Sequence, residues 1–275
     1  MARHPLAMAS GIMPEASPVE LVECAAAAGF DMGGMWIEPA DWTDATTRAV
    51  KGALAATGLP LLDVEVVWIK PGPADPAHDR IVDIGMELGA RNVLCVSSDP
   101  DAAATAAKLA RLAERAGDAI RINLEFGLFT EVKSIGQASA IVGQVDHPAM
   151  ALLIDALHWT RSGGALAQAA ALPPQWLSYV QLCDAPMPGV DPADPGAILT
   201  EAIDGRVPLG EGGLALGPLL AAMPAGIPIA VEERSKALRD GWPDLRERAA
   251  RLFTTSRRWL DRWSEVQAPA AHTCR

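Results

Sequence analysis

Acids and one carboxamide stand at the ends of apolar, strand-like segments along this sequence. Glu65, Glu125, Asp155, Gln181 and Glu232 each follow an apolar residue of such a segment. Burying an isolated carboxylate costs several kcal/mol, so acids at such positions need hydrogen-bonded partners or a metal ion. Carboxylate and carboxamide oxygens are the ligands that Mg²⁺, Mn²⁺ and similar hard divalent ions prefer. The pattern therefore indicates a divalent-metal site.

A simpler interpretation is that each acid caps the helix after it or pairs with a nearby arginine. That interpretation would suit any one of these residues. Helix N-caps, however, favour Asp, Ser and Thr over Glu. Four such residues at equivalent strand ends therefore favour one shared metal site over four separate structural roles.

A histidine and an arginine accompany the acids. His158 lies three residues after Asp155, just beyond the end of its strand. Because imidazole titrates near neutrality, His158 could act as the base for a substrate bound at the metal. The alternative is that His158 is a structural residue, packed in the protein or lying in a surface loop. Arg206, in the segment GRVPLGEG, would by itself be read as a surface arginine.

The aromatic composition is unusual, with eight Trp against one Tyr and four Phe. Trp36, Trp68 and Trp159 follow three of the strand-like segments, so we expect them to form either a structural cover or a wall for a ring-shaped or partly apolar substrate. Lys70 and Arg206 could then hold a substrate carboxylate. A sugar phosphate is less favoured, because the chain has no Gly-rich phosphate loop near its end.

These residues are positioned by short strand-like runs that alternate with Ala-rich helical stretches. Helix boundaries are well marked: Ser17 precedes Pro18 as an N-cap, and Gly29 follows the same helix as its C′ residue. The predicted strands are Leu6–Ser10, Met32–Ile37, Leu61–Trp68, Asn92–Ser97, Arg121–Phe126, Ala151–Ala156, Ser178–Cys183 and Ile227–Glu232.

Eight βα units in unbroken series predict an α/β fold of the (β/α)8 TIM-barrel type in a single domain. A doubly wound sheet is the alternative, but it would require a GxGxxG turn after the first strand. The sequence there is ASGIM. We expect the barrel to span residues 1–266 and residues 267–275 to form a flexible tail. The segment 185–208 is predicted to be a long irregular loop, rich in Pro, Gly and Asp.

The charge and cysteine content restrict the partners and the compartment. A formal net charge of −11 disfavours nucleic acid and anionic membranes. Four widely spaced cysteines favour reduced thiols in the cytoplasm. No apolar stretch reaches 18 residues and no signal segment is recognisable, so we expect no membrane span.

Several motifs in this order resemble the xylose-isomerase-like TIM-barrel superfamily of sugar isomerases and epimerases. That superfamily also includes endonuclease IV and the 3-dehydroshikimate dehydratases. The motifs are NLEFG, IDALHW, VQL, PLGEGGL and AVEER, and they span nearly the whole chain. Endonuclease IV is disfavoured because its trinuclear zinc site needs many histidines and this chain has five.

The resemblance implies that Glu125, Asp155, Gln181 and Glu232 bind a divalent metal, with Mn²⁺ or Mg²⁺ favoured and Co²⁺ or Zn²⁺ as alternatives. It also implies that His158 contacts the substrate, as does Arg206. The third ligand is usually His in the epimerases, whereas this chain has Gln181. The sequence QLCDAP around it looks more like the dehydroshikimate dehydratase branch, in which the histidine equivalent to His158 is the base.

Three functional hypotheses remain open at this level. The first is a metal-dependent lyase, most like 3-dehydroshikimate dehydratase, with His158 as the base and Glu125 or Glu65 assisting. The second is a ketose 3-epimerase or sugar isomerase, with Glu125 and Glu232 as acid and base on opposite faces of the substrate. The third is a non-catalytic barrel that binds a ligand or a partner chain. It would bind the partner through its Trp-rich C-terminal helix. Core packing or a homo-oligomer contact is the favoured explanation of Trp242, Trp259 and Trp263 in that helical region.

Overall fold

The computed structural model describes residues 3–267 and forms a closed barrel of eight parallel strands. Each strand pairs with the next along the chain, and β8 closes the barrel on β1. The (β/α)8 prediction is therefore confirmed. The strands are β1 (Leu6–Met8), β2 (Met32–Trp36), β3 (Leu61–Ile69), β4 (Asn92–Ser97), β5 (Arg121–Glu125), β6 (Met150–Asp155), β7 (Val180–Leu182) and β8 (Ile229–Val231).

Helices surround the barrel, and their ends follow the sequence signals. Ser17 accepts a hydrogen bond from the Glu20 amide while the Glu20 carboxylate accepts one from the Ser17 amide, and Gly29 ends the helix with φ 94°. The helices are α1 (Pro18–Ala28), α2 (Asp44–Thr57), α3 (Pro76–Leu88), α4 (Ala102–Ala116), α5 (Ile135–Val145), α6 (Ala156–Arg161), α7 (Leu166–Ala170), α8 (Pro195–Asp204), α9 (Leu216–Ala221), α10 (Lys236–Gly241) and α11 (Leu245–Gln267).

The segment predicted to be irregular contains a helix. Helix α8 begins with Pro195 at its first position, and the side chain of Asp194 accepts a hydrogen bond from the Ala197 amide. The Pro- and Asp-rich composition that suggested a loop is in part the start signal of this helix. The prediction of a loop over the whole of 185–208 was therefore wrong.

The C-terminal helix α11 packs along the outside of the barrel. Trp259 and Trp263 are partly buried against the core, and the Trp263 ring meets that of His4 edge to face at 5.8 Å. Gln267, predicted to begin the tail, is the last residue of α11, while residues 268–275 of that prediction lie outside the described residues.

The barrel strands are largely buried, and the inward faces of the surrounding helices pack on them to complete the core. Cys24, Cys95 and Cys183 are buried free thiols, whereas Cys274 lies outside the described residues. Within residues 3–267 no helix is both long and apolar enough to cross a membrane.

Candidate metal centre and its cavity

Three carboxylates meet at the carboxyl-terminal end of the barrel. Glu125 is the last residue of β5, Asp155 is the last residue of β6, and Glu232 directly follows β8. One oxygen of each lies within 4.8 Å of the others, and all three side chains are buried. Parallel strands bring their carboxyl ends to one mouth, which explains why residues far apart in sequence converge here.

Gln181, the fourth predicted ligand, is in β7, where it lies opposite Asp155 in the register of β6 and β7. Both polar atoms of its side-chain amide are buried and have no hydrogen-bond partner within residues 3–267, and the same is true of Glu125 Oε1. Buried polar groups are almost always hydrogen-bonded, so orphaned oxygens beside three carboxylates require an explanation. Their chemistry fits a hard divalent metal ion, which would bond to oxygens that nothing else satisfies.

Arg206 lies buried among the acids, with only 2% of its side chain exposed. Its Nη1 atom is 2.6 Å from Asp155 Oδ2 and 3.4 Å from Glu232 Oε2. Its Nε atom donates to the carbonyl oxygen of Ala202 at 2.9 Å. It is therefore an internal counterion of the acidic cluster and not a surface arginine.

His158 lies in the first turn of α6, beside the acids. The Asp155 side chain caps this helix by accepting from the His158 amide at 2.9 Å, and His158 Nε2 is 3.2 Å from Arg206 Nη2. A guanidinium can only donate, so Nε2 is the acceptor in this contact. Burial lowers the pKa of His158 to about 4, although the negative charge of Asp155 acts to raise it. The imidazole is therefore neutral at pH 7.

The acids of the cluster differ in their protonation. Burial raises the pKa of Glu125 well above its ordinary value, and the charges of Asp155 and Glu232 add to the effect. Burial raises the pKa of Glu232 to about 7 although Arg206 opposes it. Burial is the largest single influence on Asp155 and would raise its pKa, but the charge of Arg206, the contribution of His158 and the hydrogen bonds from both residues together outweigh it and hold the pKa below its ordinary value. Asp155 is thus the ionised partner of Arg206.

These pKa directions make the metal-free protein sensitive to pH. A carboxyl whose pKa is higher in the folded than in the unfolded state binds protons on folding, so stability falls as pH rises from about 5 to 8. The rise of the Glu232 pKa from 4.5 to about 7 corresponds to about 3 kcal/mol across that window. His158 acts in the opposite direction, because its pKa is lowered to about 4, but the raised pKa values of Glu125 and Glu232 together outweigh this single group. We expect chelator-treated protein to have a lower melting temperature at pH 8 than at pH 5.5.

Glu233 provides the control for this pH series. Burial, with the charge of Glu211, raises the pKa of Glu233 to about 8, and Glu233 lies outside the cluster of three carboxylates. Saturating metal should remove the part of the pH dependence of the melting temperature that comes from the three carboxylates. The substitution Glu233→Gln should reduce the pH dependence that persists with metal bound. A melting temperature that rises from pH 5.5 to pH 8 without metal would contradict the assignment.

A cavity of about 90 Å³ opens above the carboxylates. Its wall contains several residues that the sequence indicated as substrate contacts, among them Trp36, Trp68, Glu65, His158 and Arg206. Glu65 is buried and accepts a hydrogen bond from the Ser10 hydroxyl. The structure thus brings most of the predicted site residues to one place.

Two predicted contacts lie elsewhere. Trp159 is buried with 4% exposure and packs against Gly164, away from the cavity wall. Lys70 is exposed, and its Nζ lies 4.7 Å from the centroid of the Trp68 ring. It lines a separate surface depression together with Lys108. The expectation that both would line the site is therefore corrected.

Three residues of the cavity region were missed by sequence reasoning. Phe129 packs on the His158 ring at 4.6 Å, and Ser10 contacts Glu65 from the end of β1. Arg234 lines the cavity two residues after Glu232, within the motif AVEER, of which only the glutamate had been considered. Its position just past a strand end was the available signal.

Comparison with known proteins agrees with this architecture. A chain described as a xylose isomerase-like TIM barrel/4-hydroxyphenylpyruvate dioxygenase fusion protein superposes with a TM-score of 0.77 at 22% identity, covering 98% of this chain and 46% of that one. The present chain therefore spans less than half of that fusion protein. A comparison with proteins of curated function finds no similar sequence.

Two further solved structures match over their whole length. The IolI protein, solved with a bound zinc atom, has a TM-score of 0.76 at 16% identity, covering 96% of this chain and 99% of that one. A D-allulose 3-epimerase from Methylomonas sp., solved with D-allulose, has a TM-score of 0.68 at 17% identity, covering 94% and 98%. At these identities the likeness concerns the fold.

The family itself is identified from the sequence. The model of the family described as xylose isomerase-like TIM barrel matches residues 22–262, which is most of the chain. The matched segment includes all four residues of the candidate metal centre. The chain therefore belongs to the xylose isomerase-like TIM-barrel family.

Proposed function

We propose that this protein is a divalent-metal-dependent enzyme that moves a proton at a carbon next to the carbonyl group of a small, hydroxylated or cyclic substrate. The observation that carries the proposal is the convergence of Glu125, Asp155 and Glu232 with the unpartnered amide of Gln181 beneath a cavity. These four residues would hold the metal, with Mn²⁺ or Mg²⁺ favoured by the all-oxygen donor set and Co²⁺ or Zn²⁺ as alternatives. When bound, such an ion polarises a carbonyl and makes the neighbouring C–H more acidic.

The glutamates are the groups best suited to hold the proton. Each carboxylate has two oxygens, so a glutamate that gives one oxygen to a metal keeps a second that can hold a proton. Burial raises the pKa of Glu232 to about 7 in the metal-free protein, and a carboxyl with a pKa close to neutrality can both accept and release a proton. Glu125 and Glu232 come from β5 and from the end of β8, which suits transfer on two sides of a bound substrate.

His158 is a weaker candidate for the base. Its Nε2 lone pair is directed to Arg206 at 3.2 Å, and burial lowers the pKa of His158 to about 4. Its ring is also packed on Phe129. This arrangement favours a role in orienting the substrate and Arg206, so the geometry supports isomerisation or epimerisation by the two glutamates best.

Dehydration is the second candidate, and Gln181 is the observation that favours it. The sequence around this residue, QLCDAP, resembles the dehydroshikimate dehydratase branch. Loss of a β-hydroxyl requires a group that protonates the leaving oxygen, and Glu65, which lines the cavity and already binds the Ser10 hydroxyl, lies in a position to assist.

Two assays on the metal-loaded protein separate these outcomes. Solvent deuterium should enter ketoses such as D-allulose at the carbon next to the carbonyl if the enzyme is an epimerase or isomerase. An ultraviolet absorbance increase with 3-dehydroshikimate would instead identify the dehydratase. Absence of turnover with both substrate types after metal loading would favour a non-catalytic ligand-binding barrel.

Replacing His158 tests the division of roles. We expect His158→Ala to retain measurable turnover with a raised KM, whereas Glu232→Gln should lower kcat by about 10² to 10⁴, the usual contribution of an acid or base. His147→Ala serves as the matched control, because His147 precedes the start of β6 whereas the site lies at the end of that strand. Steady-state kinetics with the active substrate provides the measurement. A loss of kcat in His158→Ala as large as that in Glu232→Gln would make His158 the base.

A further inference from the structure

Arg234 lines two neighbouring cavities, and its side chain has no hydrogen-bond or ion-pair partner among residues 3–267. Its side chain runs directly over Gly11, where a Cβ atom would lie only 2.9 Å from the Arg234 Cδ atom. Glycine at position 11 therefore provides the space in which this arginine crosses from the end of β8 to the loop after β1. Arg234 lines both the metal-site cavity and the neighbouring one.

The lack of a partner is unusual for such a position. Within residues 3–267, no carboxylate lies within ion-pair distance of the Arg234 side chain, and its Nε is buried without a hydrogen-bond acceptor. Arg206, by contrast, is fully engaged by Asp155, Glu232 and the Ala202 carbonyl. Arg234 is only partly buried, so the terminal nitrogens of its guanidinium group, which has no acceptor among residues 3–267, can form a two-pronged pair with a ligand carboxylate. Arg234 is thus the cation available to a substrate.

The cavity volumes indicate where the rest of the substrate lies. The space above the carboxylates is about 90 Å³, well below the roughly 300 to 1,000 Å³ of typical ligand pockets. The adjoining cavity measures about 490 Å³ and shares Trp36 and Arg234 with the first. Its wall is largely apolar, with Met13, Pro14, Leu21 and Trp42. A substrate whose reacting end occupies the small space would extend into the larger one.

We infer that the substrate is a carboxylic acid with an apolar or aromatic portion, whose carboxylate pairs with Arg234 and whose apolar portion fills the cavity beside Trp36 and Trp42. The inference rests on the proposed function for the reacting end alone. A phosphate is a poorer occupant than a carboxylate, because Glu38 and Asp41 also line this cavity and would repel a dianion more strongly. Arg234 is accordingly a specificity-determining residue.

Binding of a matched pair of probes to the full-length protein tests this inference directly. 3-Phenylpropionate carries the carboxylate and the ring, and 3-phenylpropionamide is its neutral counterpart. Ligand-observed NMR titration should give an affinity for the acid about tenfold or more above that for the amide. Arg234→Gln should abolish this preference, and Arg234→Lys should restore part of it. Trp36→Ala should weaken both probes together, whereas Lys70→Gln, outside the cavity, should change neither.

The outcomes separate this inference from the proposed function. Metal content and circular dichroism are measured on the same samples. An acid preference that disappears in Arg234→Gln while the protein stays folded supports the carboxylate site, even if the protein binds no metal. Equal binding of acid and amide by the parent protein, or no binding of either, would overturn the inference. So would an acid preference that survives in Arg234→Gln, since the carboxylate would then bind elsewhere.

Discussion

Glu125→Gln is expected to weaken divalent-metal binding by at least about 100-fold. Substitutions in the groups that only support metal ligands already cost 10- to 100-fold in affinity, and removing a ligand charge should cost more. Glu125 is the cleanest position for the test, because its Oε1 has no hydrogen-bond partner within residues 3–267 and it takes part in no ion pair there. Elemental analysis after dialysis and titration with Mn²⁺ provide the measurements.

The same substitution should leave the metal-free protein as stable as the parent or more so. Burial and the charges of Asp155 and Glu232 raise the pKa of Glu125, which means that its ionised form is disfavoured in the folded state. A neutral amide removes that repulsion at pH 8. Glu131→Gln, an exposed glutamate paired with Lys133, is the matched control and should change neither metal content nor stability. Unchanged metal affinity in Glu125→Gln would refute the site assignment.

Asp155 would be a less informative choice for that experiment. It caps α6 through the His158 amide and forms the shortest ion pair of Arg206, at 2.6 Å. Asp155→Ala would therefore remove a helix cap, an ion-pair partner and a metal ligand at once. A loss of metal in that variant could follow from a disturbed fold as easily as from a missing ligand.

Arg206→Met is expected to reduce the free energy of unfolding by about 3 to 5 kcal/mol in the metal-free protein at pH 8, which is the usual effect of breaking a buried ion pair. The variant leaves Asp155 and Glu232 buried with no cation in contact, since Arg206 is the ion-pair partner of both. Methionine preserves much of the side-chain volume, so the loss reflects charge more than packing. Urea denaturation followed by circular dichroism gives the value.

Two changes of condition should rescue this variant. Saturating Mn²⁺ would restore positive charge to the cluster, and lowering the pH to 5.5 would protonate the glutamate whose pKa is about 7. Arg206→Lys should lose less stability because it keeps the charge. Arg115→Met, which removes an exposed ion pair with Asp83, should cost less than about 1 kcal/mol. A similar loss in Arg115→Met and Arg206→Met, or no response to metal and pH, would contradict this role of Arg206.

The barrel and its set of acids could be predicted from the sequence because both depend on local, periodic signals. Short apolar runs alternating with capped helices specify βα units, and a closed parallel barrel brings every strand end to the same mouth. Any acid that ends a strand is then at the site wherever it lies in the chain. Glu125, Asp155 and Glu232 are brought together for this reason.

The directions of side chains beyond the strand ends were not predictable in this way. His158 and Trp159 are neighbours in α6, and successive helical residues point about 100° apart. His158 consequently turns toward Arg206 while Trp159 turns into the core beside Gly164. Both residues closely follow a predicted strand end, so the sequence suggested that both face the mouth of the barrel.

The charges of the site were likewise decided by tertiary structure. Arg206 and Lys70 were both considered from the sequence as partners for a substrate carboxylate, yet one is buried against Asp155 and the other is exposed on Trp68. Arg234 faces a cavity without a partner because Gly11, more than 200 positions away in the chain, provides room for its side chain. By itself the sequence determined which residue types reach the mouth of the barrel. Only the packing of loops from distant βα units decided which of them are neutralised and which remain available to a ligand, because burial and ion pairing depend on neighbours that are remote in sequence.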